Sequence, residues 1–468
     1  MGLPKSGYEF RSAWENRDIA GRNRLSIRVG KISGLKNREP SRQSLDWRSG
    51  ACGIRRGIFK RTIWLGNGSL RMKRLLEHPI AVLGLPLDSL TAEQAIDAIE
   101  GLILSGGTHQ VATANLDFWL NSLADQHLHR IIAGCSLVLA DGMPLVWVSK
   151  LMGCPLAERV TGVDLVPRLA KLSAEKGYRI FLLGGRENVA ERAARLLEEL
   201  HPGTRIVDTY APSEETMALL DHSEILGRIH AARPDILLVA LGNPKQEKWI
   251  WMHRKRLGVP VAIGVGGSFE ILVGDVRRAP KWVQRVGMEW AMRTVQEPSR
   301  LAPRYFRDFA GLARRLPLTL LAAWLQRPFS APSHLTSVNT PQGMHVYLHG
   351  RLCANTAAEL QRVAELSIAS GLVTIVHMQG VKQITAAGLG VLMDVRRQLL
   401  DAGLTLSLAG LNFKQRFLLH AWCAQPLFDE WQSTIAHGRS MAPEAEAASR
   451  TPLRAEQEAL PVQTRIRG

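Results

Sequence analysis

The stretch Leu241-Gly242-Asn243-Pro244-Lys245-Gln246-Glu247 follows directly on the apolar residues 235–240. An apolar strand that runs into a Gly/Asn/Pro turn, with a helix opening on polar side chains, offers backbone N–H groups and a few side chains to a ligand at the carboxyl end of a sheet. Gly242, Lys245 and Gln246 are the candidates in that turn. Similar turns follow other apolar runs, at Thr113-Ala114-Asn115, Asp141-Gly142-Met143-Pro144, Gly184-Gly185 and Gly266-Gly267-Ser268-Phe269-Glu270. Asp141 can serve as a general base at a strand end, or cap the helix that starts near Pro144. Thr113 and Asn115 suit a ligand pocket or local ST and Asx turns. Arg159 suits a phosphate group or a plain surface position, and Asp164 a ligand hydroxyl or the cap of a helix from Val163. Gly184 and Gly185 carry half of a dinucleotide fingerprint, without the full GxGxxG spacing. Gly266 and Gly267 place backbone amides where an anion can sit. Arg293, Arg300, Arg304 and Arg307 share one face of a helix by their spacing, as a phosphate clamp or as a solvated basic face.

Thr113-Ala114-Asn115, Ala140-Asp141-Gly142-Met143-Pro144, Arg159-Val160-Thr161-Gly162-Val163-Asp164, the Gly242–Glu247 turn, Gly266–Glu270, Glu289-Trp290-Ala291-Met292-Arg293 and Glu297-Pro298-Ser299-Arg300 occur in that order. The set resembles the WecG/TagA/CpsF glycosyltransferases over roughly residues 78–310. The resemblance implies transfer of a sugar from a nucleotide donor to a polyprenyl-diphosphate-linked acceptor. It implies Asp141 as base, with Thr113 in the active-site pocket beside it. It places Asn115, Arg159, Gly242, Lys245 and Gln246 as substrate-binding residues, and Asp164, Gly184, Gly185, Gly266 and Gly267 join them as candidates from their own positions. Arg293, Arg300 and Arg304 would then come to the active site from a C-terminal appendage at the membrane. The chain has no DxD pair, and the family is held to work without metal, so no metal site and no cofactor are expected.

The elements that would position these groups alternate. Strands are expected at Ile80–Leu85, Gln110–Thr113, Leu137–Ala140, Arg179–Leu183, Arg205–Val207, Asp235–Leu241 and Val261–Val265. Helices separate most of them, including the one opened by Thr91-Ala92-Glu93-Gln94, Val163–Lys176, Val189–Leu200 and Pro244–Arg256. Such alternation predicts an α/β fold with a Rossmann-like, mostly parallel sheet. A helical, Trp-rich appendage follows over 275–326. Lys281–Gln296 should be one helix, Pro298 and Pro303 should break the chain into segments, and a basic, apolar helix should span Arg304–Leu325.

Residues 327–343, rich in Pro, Ser and Thr, read as a linker to a small α/β domain over 344–440. Strands are expected there at His345–Leu348, Val373–His377 and Leu404–Ala409, and helices at Ala386–Ala402 and Asn412–Trp422. With His377–Gly390, this order resembles a STAS domain, the anti-sigma-factor-antagonist fold. Where that family carries a phosphorylatable Ser, this chain has Thr385-Ala386. A docking module that recruits a protein partner through Thr385–Leu389 is the expectation.

The chain has 468 residues, 46% of them hydrophobic and 22% charged, ordinary figures for a globular protein of two or three domains. The formal charge of +17 is not ordinary and points to an anionic partner. Residues 1–75 carry much of the excess and read as a disordered basic segment, as does the tail 441–468 without the basic excess. Cys52, Cys135, Cys154, Cys353 and Cys423 are scattered and odd in number, which fits a reducing compartment. No apolar run reaches the ~18 residues of a spanning helix, and no signal peptide is visible. The expected place is the cytoplasm, peripherally on the inner (cytoplasmic) membrane.

The functional expectation is an inverting, metal-independent glycosyltransferase in cell-surface polysaccharide assembly. Its donor would be a UDP-sugar carrying N-acetylmannosamine, its uronic acid or glucose. Its partners would be a polyprenyl-diphosphate-linked saccharide, an anionic membrane surface, a protein met through the C-terminal domain and a second copy in a homo-oligomer; no nucleic acid is expected. Two other classes fit parts of the sequence: a catalytically inactive regulatory scaffold acting through the STAS-like domain, and a nicotinamide-dependent oxidoreductase.

Overall fold

A computed structural model describes residues 78–213, 222–326 and 332–430. The expectations for 1–75 and 441–468 lie outside these residues. The chain opens with an antiparallel hairpin, β1 (Ile80–Val82) and β2 (Leu85–Leu87). The single strand expected here is split because Leu83 and Gly84 turn back at φ 54° and 82°.

The main sheet has six strands, all parallel: β3 (His109–Ala114), β4 (Leu137–Ala140), β5 (Arg179–Gly184), β6 (Arg205–Tyr210), β7 (Ile236–Ala240) and β8 (Val261–Gly264). Their order is β4-β3-β8-β7-β5-β6. Every residue of β4, β7 and β8 is buried, as expected for strands covered by helices on both faces. Thr91 caps the helix Ala92–Ser105 in a reciprocal capping box with Gln94. Such short turns deliver the carboxyl ends of β3, β4, β7 and β8 side by side.

The appendage departs from expectation twice. Lys281–Gln296 is two helices, Lys281–Arg285 and Glu289–Gln296, separated at Gly287, where φ is 79° and a Cβ would strike Trp147 and Met143. Conversely, Pro298 and Pro303 do not divide the next helix, which runs unbroken from Pro298 to Leu325. Pro298 occupies the first turn, where no N–H is needed. Pro303 and Pro317 sit inside, and each removes one backbone hydrogen bond.

The C-terminal body is a second six-stranded sheet. It contains β9 (His334–Thr340), β10 (Gly343–Leu352), β11 (Thr374–His377), β12 (Val381–Ile384), β13 (Leu406–Ala409) and β14 (Asp429–Glu430). The order is β12-β10-β11-β13-β14, with β9 antiparallel beside β10. β9 lies within the segment expected to be linker; its paired backbone outweighs the Ser/Thr-rich composition. The helices Ala357–Ser370, Ala386–Asp401 and Phe413–Ala421 cover the sheet.

This body does not hang free. One continuous apolar core takes Leu83, Leu85, Trp119 and Leu145 from the N-terminal part, Leu312 and Ala322 from the long helix, and Leu389, Leu392 and Trp422 from the C-terminal part. Gly390 packs against the Pro79 carbonyl with no room for a Cβ. The expectation of a separate module beyond a linker is thereby corrected for the described residues. The stretch Thr385–Leu389 is likewise no open docking face. Ala386, Gly388 and Leu389 are buried, and Thr385 caps its helix by accepting from the Gly388 N–H.

Candidate active site

The carboxyl ends of the four adjacent strands open into a cavity of about 410 Å³, closed on its far side by the appendage. After β3, Thr113 is buried, and its hydroxyl donates to the Gly264 carbonyl at 2.9 Å, tying β3 to β8. Asn115 accepts from the Phe118 N–H at 3.2 Å and caps the helix Leu116–Ala124. After β4, Asp141 enters the cavity, and Gly142 passes so close to Asn115 that a Cβ would sit 3.2 Å from that side chain. Burial pushes the Asp141 carboxyl up to about 7; Arg159 and Arg293 oppose the rise, and Glu289 and Asp164 add to it. Asp141 makes no cap bond to the helix Met143–Leu151, whose N-cap is Gly142. Its side chain is therefore left to the cavity.

After β7, Gly242 turns at φ 75° and the chain enters the helix Lys245–Leu257. Gln246 is buried with its amide engaged at both ends. Its Oε1 accepts from Gly242 N–H at 3.2 Å and Gly266 N–H at 3.0 Å, and its Nε2 donates to Glu247 at 2.7 Å. Gln246 thus ties the β7 and β8 turns together, and it takes up the Gly266 N–H that was expected to face an anion. Glu247 lies beneath, and burial lifts its carboxyl to about 8 despite the hydrogen bond from Gln246.

The appendage supplies the opposite wall with Arg293, Arg300 and Arg304. Arg159 pairs with Glu289 at 2.8 Å, and Arg300 with Glu297 at 2.7 Å. Arg304 lies 3.3 Å from Asp117, and Arg307 reaches the same carboxylate at 2.6 Å. Asp308 stands beside them, lifted to about 6 by burial and by the Asp117 charge, against Arg304 and Arg307. The buried Nε of Arg293 has no hydrogen-bond partner. Five arginines line the cavity beside six carboxylates, and the guanidinium donor left unmatched on Arg293 suits an anion with several oxygens.

Five of the expected site residues, Asp164, Gly184, Gly185, Lys245 and Arg307, stand outside this cavity. Asp164 lines a shallower neighbouring pocket. There burial would raise its carboxyl, yet hydrogen bonds from Arg278 and Thr161 outweigh that and hold it low. Gly184 and Gly185 adopt φ 98° and 84° to turn the chain away from β5, where a Cβ on Gly184 would meet the Ala240 carbonyl at 2.7 Å. Lys245 is exposed and not part of the wall. Lining residues missed by sequence reasoning include Arg186, Asp117, Tyr305 and Asp308, and Glu289 was seen only as part of a motif, without a role. Asp117 had a signal, its place two residues after Asn115 in the first turn of a helix. Among the described residues no three His, Cys, Asp or Glu side chains are grouped as metal ligands.

A parallel sheet with a polar cavity lined by arginines at its carboxyl edge is the arrangement of an α/β protein that takes an anionic ligand. Residues 80–329, more than half of the chain, match the model of the glycosyl transferase WecG/TagA/CpsF family, and the chain belongs to that family. It is a glycosyltransferase. Among similar proteins is the N-acetylglucosaminyldiphosphoundecaprenol N-acetyl-beta-D-mannosaminyltransferase of Bacillus spizizenii, 32% identical over 193 residues, 41% of this chain and 72% of that one. The enzyme of the same name from Staphylococcus aureus (strain MW2) is 28% identical over 224 residues, 47% of this chain and 86% of that one. Among solved structures, the anti-sigma factor antagonist SpoIIAA in its unphosphorylated form matches 25% of this chain and 96% of its own, with 17% identity and a TM-score of 0.18.

Proposed function

We propose that the chain transfers a sugar, with inversion, from a UDP-sugar to a polyprenyl-diphosphate-linked saccharide in cell-surface polysaccharide assembly. The single observation carrying this is Asp141, set at the end of β4 with no helix to cap, in a cavity that Arg159, Arg293, Arg300 and Arg304 also line, its carboxyl lifted by burial to about 7. A base works best when its pKa lies close to the working pH. In a single displacement an acceptor hydroxyl attacks the anomeric carbon, its proton passes to Asp141, and the carbon–oxygen bond to the nucleotide diphosphate breaks. Arg159, Arg293, Arg300 and Arg304 are suited to offset the departing charge, the role a divalent cation plays elsewhere. Two related proteins named for transfer of N-acetylmannosamine to a diphosphoundecaprenol-linked acceptor favour that sugar over glucose.

No helix among the described residues is long and apolar enough to cross a membrane. The appendage nevertheless exposes Trp282, Val295, Phe306 and Trp324, set among Lys281, Arg285 and Arg314. Apolar rings among cationic side chains suit the headgroup layer of an anionic membrane, so we place the enzyme peripherally on the cytoplasmic membrane.

The test is a panel of UDP-sugars offered with a short-chain prenyl-diphosphate N-acetylglucosamine, with UDP release and product mass as readouts. Turnover with UDP-N-acetylmannosamine, undiminished by EDTA, is expected. Failure with every UDP-sugar, together with no UDP binding, sinks the reading and leaves an inactive scaffold.

A further inference from the structure

The helix Pro298–Leu325 has two halves with different neighbours. Its first half supplies Arg300 and Arg304 to the cavity. Its second half is gripped by the C-terminal body. The Thr319 hydroxyl donates to the Ala421 carbonyl at 3.0 Å, and the Trp422 indole N–H donates to the Thr319 carbonyl at 3.3 Å. At the helix end, the Gln326 side-chain oxygen accepts from the Ile384 N–H at 2.9 Å, and the Gln383 amide donates to the Gln326 carbonyl. Leu312 and Ala322 are buried in the core that both parts share, with Leu316, Leu318 and Leu320 packed against it.

Three points give this grip a consequence for the cavity. Thr319 and Trp422 are buried, so their bonds form away from competing water. Pro303 and Pro317 each delete a backbone hydrogen bond from the helix, which makes it depend on outside contacts for its line. The cavity-facing half is held by buried Leu301, by Tyr305 and Phe309 against the Trp290 ring, and by ion pairs of Arg304 and Arg307 to Asp117 and Asp308 and of Arg300 to Glu297. The Arg300–Glu297 pair is open to solvent and contributes little by itself, so the line of this half depends on what holds the rest of the helix.

Resting on the proposed transferase reading, we propose that the C-terminal α/β body has the enzyme's own arm as its partner. It clamps residues 312–326 and so positions Arg300 and Arg304 in the cavity. Thr319, Gln326 and Trp422 are then positioning residues, distant from any reacting atom. A change at the C-terminal body reaches the site through the helix, an element shared by both.

The test uses the full chain with Gln326→Leu, Thr319→Val, the two together, and Gln326→Glu. The last keeps an acceptor for the Ile384 N–H. Two readouts are taken: hydrogen exchange of residues 300–307, and steady-state kinetics on the soluble acceptor. In the double variant, exchange over 300–307 should quicken at least tenfold while the strands β3 and β7 stay protected. kcat should fall about tenfold with KM for the donor changed less. Gln326→Glu should restore most of both. Faster exchange over 319–326 with 300–307 and kcat unchanged overturns the clamp. So does a uniform loss of protection in β3 and β7, which would mark a general structural role. Because exchange is read without substrate, the clamp can stand or fall even if no sugar donor is found.

Discussion

Asp141 combines two properties that pull against each other. Burial lifts its carboxyl to about 7, whereas the unfolded chain would titrate it near the ordinary carboxylate value. Between those values the folded state holds a proton that the unfolded state has lost. Stability contributed at this site therefore falls as pH rises from about 4 to about 7, and at higher pH the buried charge is a net cost. Asp141→Asn removes that cost. It should melt higher than the parent at pH 8, bind UDP as tightly, and lose about 100-fold or more in kcat. The parent's kcat/KM should show an acid limb with an apparent pKa near 7, because protonation removes the base. Loss of UDP binding with kcat intact would instead assign Asp141 to the donor. Much of this site was legible because strand-end turns have local chemistry: Gly142, Gly242 and Gly266 each mark where a chain leaves a strand. The roles were less legible. Gln246 was expected against the donor, yet its amide is consumed by Gly242, Gly266 and Glu247, contacts that only the folded sheet creates.

At the scale of elements, the appendage carries two faces that substitutions can separate. Arg293 and Arg300 line the cavity, while Trp282 and Phe306 are exposed at 68% and 78%. Replacing Arg293 and Arg300 with Ala should lower kcat/KM by about 100-fold or more, since phosphate charge would go unmatched in the transition state. The same variant should still sediment with anionic vesicles. Trp282→Ser with Phe306→Ser should do the reverse, losing vesicles while turning over a soluble acceptor normally. Vesicle binding unchanged by the second pair would move the membrane contact elsewhere in the chain. The arginine spacing suggested one helix face, yet Arg293 stands on the preceding helix Glu289–Gln296, while the prolines suggested a break where the helix runs on. Pro298 falls in the first turn, where no N–H is needed, and the helix past Pro303 is packed through Leu301, Leu312 and Ala322, a tertiary effect that local propensity does not encode.

At the scale of the molecule, one sequence signal went unread. In the helix Ala386–Asp401, Ala386 and Gly388–Val395 are buried without interruption. A helix apolar on all sides must be covered on all sides. One side faces its own sheet, and the other meets the hairpin β1–β2, whose Pro79 carbonyl leaves Gly390 no room for a side chain. The hairpin is therefore a wedge shared by both sheets. Leu83 is fully buried in it, and the His129 ring hydrogen-bonds the neighbouring Gly84 carbonyl at 2.9 Å. A chain built this way should unfold as one unit where two tethered domains would give two transitions. Calorimetry of the full chain should show a single main peak. Leu83→Ala removes buried methyl groups from the wedge at a cost of about 2–5 kcal/mol. That peak should move down by several degrees as a whole, with tryptophan fluorescence and far-UV ellipticity following together. Trp422→Phe, which fills much of the same volume but loses the bond to Thr319, should shift it less. Two resolved peaks, only one of them sensitive to Leu83→Ala, would show that the sheets melt independently and that the wedge belongs to one of them.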